Sequence, residues 1–135
     1  MSWELCRIGK EYEFCAAHRL PKVDENHKCY RLHGHNYKVE VEYRGEIAPK
    51  DGFCGNLDFA DVDDQVKPVI ARLDHQYLND IPGLENPTAE NIAAYLLREI
   101  NSTRSLFFSV KVWETPKCWA MVVNGGGLFR GVHKE

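Results

Sequence analysis

Between Cys6 and Tyr43 the chain carries two long stretches of residue alternation, and each meets histidine at the end nearer the other. In the first, the even positions are Cys6, Ile8, Lys10, Tyr12, Phe14, Ala16 and His18, apolar but for one lysine. The odd ones are Arg7, Gly9, Glu11, Glu13 and Cys15. In the second, the odd positions are His33, His35, Tyr37, Val39, Val41 and Tyr43, against Asn36, Lys38, Glu40, Glu42 and Arg44. Side chains of a strand alternate with period two, so each stretch predicts a half-buried strand. If the two pair antiparallel, the end of the first lies beside the start of the second. His18, His33 and His35 then gather at one end of one sheet face. No other feature constrains the fold as tightly.

The remaining elements follow from local chemistry. Residues 19 to 32 are polar and hold Pro21, a loop long enough to suggest function rather than mere connection. Gly45, Pro49, Asp51-Gly52 and Gly55-Asn56 mark turns. Asp58 suits an N-cap and Asp61 the first turn of a helix, whose apolar stripe is Phe59, Val62, Val66, Val69, Ile70 and Leu73. Pro68 is expected to kink it, and Asp74-His75 follow at its end. Thr88 caps a second helix running through Asn101, with Ile92, Ala93, Leu96 and Ile100 inward. Strands are expected at Leu106–Glu114 and Cys118–Val123 around a Thr115-Pro116 turn, and residues 128 to 135 read as a tail.

The order β-β-α-α-β-β is that of an α+β fold, a four-stranded antiparallel sheet with two helices on one face. At 135 residues the chain reads as a single domain, 1–135. Its edge strands are a liability unless covered, so assembly through them is expected.

Composition narrows the function classes. A net charge of -3 gives no field to attract nucleic acid or an anionic membrane. No apolar run is long enough to span a bilayer, and the first residues lack the apolar core of a signal peptide. Five cysteines, odd in number and without Cys-x-x-Cys spacing, favour reduced thiols in the cytoplasm. Cys6 and Cys15 are expected as small buried hydrophobes.

Three histidines with an open fourth position describe a catalytic zinc site; a fourth protein ligand would make it structural. Cys29 leaves both arrangements available, as a fourth ligand or as a thiol beside the metal. A fourteen-residue polar loop is an odd wrapping for a buried ion, which favours the open site. Lys28 and Arg31 give Cys29 cationic surroundings that favour a thiolate base or nucleophile. Asp74-His75 alone is weak evidence for a proton relay, because adjacent side chains rarely hydrogen-bond well. Glu114 shares parity with Val110 and Val112 and so ends an apolar face, where a ring offering two adjacent N–H groups would balance its charge. Pointing into water, it would need no such partner.

Taken together, Phe14-Cys15-Ala16-Ala17-His18-Arg19-Leu20, Cys29-Tyr30-Arg31-Leu32-His33-Gly34-His35-Asn36-Tyr37, Leu57-Asp58-Phe59-Ala60-Asp61, Leu73-Asp74-His75-Gln76-Tyr77-Leu78-Asn79, Asn86-Pro87-Thr88-Ala89-Glu90-Asn91 and Glu114-Thr115 closely resemble the 6-pyruvoyltetrahydropterin synthase / 6-carboxytetrahydropterin synthase family. The resemblance implies the tunnelling fold, with three sheets closing a barrel and two barrels stacking as a homohexamer whose active sites lie between subunits. It implies Zn2+ on His18, His33 and His35, Cys29 as catalytic thiol, Asp74 and His75 as proton relay, and Thr88 and Glu114 holding the pterin. The three residues between Cys29 and His33 resemble the 6-carboxy branch. The implied reaction takes 7,8-dihydroneopterin triphosphate to 6-carboxytetrahydropterin, acetaldehyde and triphosphate, towards the 7-deazaguanine queuosine, with Arg19, Lys22, Lys28 and Arg31 as candidate triphosphate ligands. The alternatives are a 6-pyruvoyl product, a dihydroneopterin aldolase activity, or a non-enzymatic module closed around zinc by one cysteine and three histidines. After Glu114 the chain departs from that branch, at Thr115-Pro116-Lys117-Cys118-Trp119 and a glycine-rich tail.

Overall fold

A computed structural model describes residues 4–102 and 105–125; the expected tail at 128–135 lies outside them. Strands β1 (Leu5–His18) and β2 (His33–Glu46) are followed by helices α1 (Phe59–Ala71) and α2 (Ala89–Asn101), then β3 (Ser109–Thr115) and β4 (Cys118–Val123). The sheet order is β1-β2-β3-β4, antiparallel throughout. This is the expected β-β-α-α-β-β arrangement. The long β1–β2 ladder runs from Leu5↔Glu46 to His18↔His33, so the last residue of one strand opposes the first of the other.

Alternation decides which face is covered. Phe14, Ala16 and His18 of β1 and Tyr37, Val39 and Val41 of β2 are buried, together with Val110 and Val112 of β3. Their partners across the layer are Val62, Val66, Val69 and Ile70 of α1 and Ile92, Ala93, Leu96 and Ile100 of α2. Lys10 sits on that inner face because α1 supplies its counter-charge: its Nζ lies 2.7 Å from Asp63, whose other oxygen accepts from the Tyr12 hydroxyl at 2.7 Å. Burial and that acceptor raise the Tyr12 pKa.

The caps form as their sequences suggest. Asp58 accepts from the Asp61 amide and Asp61 returns the bond to the Asp58 amide, a reciprocal capping box that satisfies two otherwise free donors. Thr88 caps α2 through the Asn91 amide at 3.1 Å.

Five expectations change. The 19–32 loop contains a 3-10 turn at Lys28–Tyr30. Helix α1 contains Pro68 and ends at Ala71, so Leu73 of the expected stripe lies just beyond it. Phe59 leaves the buried stripe and is 52% exposed, because it occupies the first turn, beyond the reach of the sheet. Strand β3 starts at Ser109, not Leu106. There the Asn101 side chain takes both backbone groups of Phe107, at 2.7 and 3.1 Å, and turns its ring into the core. Cys15 is exposed rather than buried, as its odd position on β1 dictates. Among the described residues no helix is long and apolar enough to cross a membrane.

Candidate metal centre and active site

The β1–β2 register brings the three imidazoles together. His18 and His33 are direct partners, and His35 opposes Ala16 one pleat away. Ring centroids are 4.5 Å apart for His18–His33, 5.0 Å for His18–His35 and 4.9 Å for His33–His35, each pair edge to face. One nitrogen from each lies within 4.8 Å of the others. The three residues form the metal-capable group among the described residues. The Cys29 thiol stands outside it, which favours the open arrangement over the closed one.

Backbone carbonyls orient two of the rings. His18 Nδ1 lies 2.8 Å from the Pro87 carbonyl, and His33 Nδ1 lies 2.6 Å from the Arg31 carbonyl. A carbonyl only accepts, so both Nδ1 atoms carry the proton and both Nε2 atoms carry lone pairs. Those Nε2 atoms face each other at 3.0 Å. Two lone pairs directed at one point suit a cation there, and carbonyl-bound Nδ1–H with free Nε2 is the usual outer arrangement of metal-binding histidine. The Tyr37 hydroxyl, 3.1 Å from His18 Nδ1, provides a second oxygen for that N–H.

Electrostatics favour the neutral ring at His18 and His35. Burial pushes His18 down to about 4, against the Pro87 carbonyl, which works the other way, with His33 and His35 lowering it further. His35 is also lowered, first by burial, while Glu114 opposes the shift. His18 therefore remains neutral well below the ordinary imidazole range, the form that metal binding requires. Its depressed folded-state pKa means that the unfolded chain binds the proton first. Stability of the metal-free protein is thus expected to fall as pH drops from 6.5 towards 4, by on the order of 3 kcal/mol at most from this group. Urea unfolding of the chelated protein across that range, beside a His18→Asn variant with a shallower dependence, checks it.

Asp74 and His75 sit on the free edge of β1. The Cys15 amide donates to Asp74 at 3.0 Å and the His75 amide donates to the Cys15 carbonyl at 2.6 Å. Ala17 then pairs with Gln76 and Tyr77, so residues 74–77 cover part of that edge. His75 Nδ1 is 3.0 Å from Asp74 Oδ1, a contact that adjacent side chains seldom make. His75 has a left-handed backbone with φ 60°, uncommon for a residue other than glycine. The Cys15 amide, and then the His75 ring, hold the Asp74 carboxyl below its usual range.

His35 stands between two clefts. One, of about 550 Å³, is lined by Cys15, Asn36, His75, Gln76 and Tyr77 as well as His35. The other, of about 500 Å³, places His35 with Tyr37, Lys38, Trp113, Glu114 and Pro116. Glu114 is half-buried at the end of β3, close enough to oppose the shift at His35 and to add to the burial that raises Tyr37. Thr88 follows Pro87, the residue whose carbonyl orients His18, and its oxygen accepts the α2 cap bond. Cys29 lies in the Lys28–Tyr30 turn, with its amide donating to His27 Nδ1 at 3.0 Å.

Some contributors carry no sequence signal. The Pro87 and Arg31 carbonyls are backbone groups from loops. Tyr37 had one, its shared parity with His33 and His35. Cys15 had one too, in its odd position; its thiol lies 3.0 Å from Asn36 Oδ1 beside the first cleft.

The geometry has close counterparts among known proteins. Residues 7–124 match the family described as 6-pyruvoyl tetrahydropterin synthase. A 6-carboxy-5,6,7,8-tetrahydropterin synthase of Synechocystis is 38% identical over 112 residues, covering 80% of this chain and 85% of its own. A dihydroneopterin monophosphate aldolase of Pyrococcus furiosus is 39% identical over 94 residues, 70% of this chain and 74% of its own. The structure of Caenorhabditis elegans 6-pyruvoyl tetrahydropterin synthase superposes with a TM-score of 0.83 at 28% identity, over 92% of this chain and 99% of that one. The tunnelling fold expected from the motifs is the fold found. With a sheet of that topology and three imidazoles at one end of it, the chain is an enzyme belonging to the 6-pyruvoyl tetrahydropterin synthase family.

Proposed function

We propose that the chain is a zinc-dependent 6-carboxytetrahydropterin synthase. It would convert 7,8-dihydroneopterin triphosphate to 6-carboxy-5,6,7,8-tetrahydropterin, acetaldehyde and triphosphate, a step towards queuosine. The observation that carries this is His35, a member of the metal-capable trio shared by one cleft that holds His75 and another that holds Glu114. Through His35, the metal-capable trio thus adjoins both an imidazole, His75, and a carboxylate, Glu114.

His18, His33 and His35 would hold the zinc, and a zinc ion there supplies Lewis-acid polarisation of the substrate's side-chain hydroxyls. Cys29, as thiolate, accepts a proton from the polarised side chain, and His75, oriented by Asp74, carries protons to and from it. Glu114 accepts two N–H bonds from the pterin edge, which fixes the ring with charge-assisted strength. The Thr88 hydroxyl, with its hydrogen still available for donation, adds a contact to the same ring. The exposed side chains of Lys22, Lys28 and Arg31 lie near enough in sequence to Cys29 to receive the triphosphate.

The same reading includes a homohexamer in the cytoplasm, with active sites between subunits. Among the described residues the β4 edge pairs with no further strand, and Trp119 and Met121 are exposed on β4, which supports assembly through strands. It involves neither nucleic acid nor membrane.

A second reading keeps the fold and changes the product, to a 6-pyruvoyl pterin or to dihydroneopterin cleavage. The similarity to the C. elegans synthase and the P. furiosus aldolase favours testing it. Incubation of the pure, zinc-loaded protein with dihydroneopterin triphosphate, followed by mass analysis, separates the two. Acetaldehyde with a carboxy-pterin is expected; a pyruvoyl product, or no acetaldehyde, would sink the carboxy reading.

A further inference from the structure

Arg19 follows the metal-capable His18 directly and is half-buried, with its guanidinium against the turn that carries Cys29. Its Nε donates to the Tyr30 carbonyl at 3.0 Å, and its guanidinium carbon lies 4.4 Å from the centre of the Tyr30 ring. Tyr30 is the residue after Cys29, within the same 3-10 turn. The neighbouring backbone adds a third tie, because the Leu20 amide donates to the Cys29 carbonyl at 2.8 Å.

The Arg19 backbone is in turn held by one side chain. Asn79 Oδ1 accepts from the Arg19 amide at 3.0 Å, and Asn79 Nδ2 donates to the Arg19 carbonyl at 2.9 Å. Asn79 belongs to the 3-10 turn Leu78–Asp80, four residues after His75. An Asn amide that bonds both backbone groups of one residue acts as a two-point brace. The guanidinium, planar and with donors in a fixed fork, adds direction that an ammonium lacks.

The geometry points to Arg19 and Asn79 as positioning residues for the pterin reaction. They tie the end of the histidine-bearing strand to the Cys29 turn on one side and to the segment leading away from His75 on the other. In this assignment Arg19 positions the Cys29 turn rather than binding the triphosphate. The assignment rests on the proposed role of Cys29 as the reacting thiol. Each subunit carries the whole brace, so it orders both groups even where the thiol of one subunit serves the histidine of the next.

Arg19→Lys and Asn79→Ala test it, with zinc content, steady-state kinetics on dihydroneopterin triphosphate, and the rate of Cys29 alkylation by iodoacetamide read on its own peptide. A displacement of about 1 Å at a reacting group costs on the order of 100-fold in rate. Both variants are therefore expected to keep one zinc per chain and lose kcat by about that factor. KM should stay within roughly threefold, while Cys29 alkylation accelerates as its turn is released. Restoration of kcat and alkylation to wild-type values by lysine overturns the assignment. So does a raised KM with unchanged kcat and unchanged alkylation, which would make Arg19 a phosphate ligand. Arg19→Lys retains the long stem and the charge, so it carries the test if the alanine variant at Asn79 does not fold. Alkylation needs no substrate, so a different pterin product would overturn the proposed function and leave this measurement intact.

Discussion

Cys29→Ala is expected to reduce turnover of dihydroneopterin triphosphate by about 100- to 10,000-fold, the range of a lost acid–base group, while one zinc per chain is retained. The two halves of the result test different things. Loss of turnover follows if the thiol moves protons at the substrate. Retention of metal follows from the geometry, since the group that gathers within 4.8 Å is His18, His33 and His35, and the thiol is outside it. The fold should be undisturbed, because Cys29 is half-buried in a short turn whose hydrogen bonds are made by backbone, His27 and Arg19. Zinc analysis, far-UV circular dichroism and single-turnover product formation check the three parts. Loss of zinc together with the folded signal would show a closed structural site, and turnover within tenfold of wild type would remove Cys29 from the chemistry.

His35→Ala is expected to remove bound metal as well as activity. It leaves two nitrogen ligands where three are needed to hold an open-site ion, so bound metal should fall well below one per chain. The several kcal/mol that the ion supplies at a reacting oxygen would be lost with it, a decrease of more than about 1,000-fold in kcat. His35 is the instructive position because it is half-buried and takes no backbone carbonyl of its own among the bonds that orient His18 and His33. Removing it disturbs the packing less than removing His18, which is 1% exposed and bonded to Pro87. Metal per chain measured by emission spectrometry, and turnover measured with added zinc, check it. Full metal content with full turnover would show that the three imidazoles are not the centre of the site.

Much of this site was legible in one dimension. A strand repeats every two residues, so parity alone placed His18, His33 and His35 on one face, and antiparallel pairing placed them at one end. The same local rules located both helix caps and β4 at the residues observed. Parity also carried Cys15 to the outer face, against the general preference of free cysteine for burial.

Other features depend on where distant segments pass. Lys10 broke the apolar pattern of β1, and only the packing of α1 shows that Asp63 neutralises it. Asp74-His75 read as weak evidence because adjacent side chains seldom bond well, yet their side chains lie 3.0 Å apart. The Cys15 amide holds Asp74 and the Cys15 carbonyl holds the His75 amide, a pairing across the β1 edge that the sequence does not reveal. Family resemblance, not periodicity, assigned roles to Cys29, Thr88 and Glu114.

The sequence by itself therefore determined the strands, the face and the end of the sheet where three imidazoles collect, because side-chain direction along a strand is a local property. Only the tertiary structure decided which nitrogen each ring of His18 and His33 presents. That choice belongs to the carbonyls of Pro87 and Arg31, whose directions are set by long-range loop paths. It also decided that Arg19 faces Tyr30, because the Cys29 turn folds back over the end of β1. A period of two can say where a histidine lies; the hydrogen bond behind it decides which nitrogen remains for a metal.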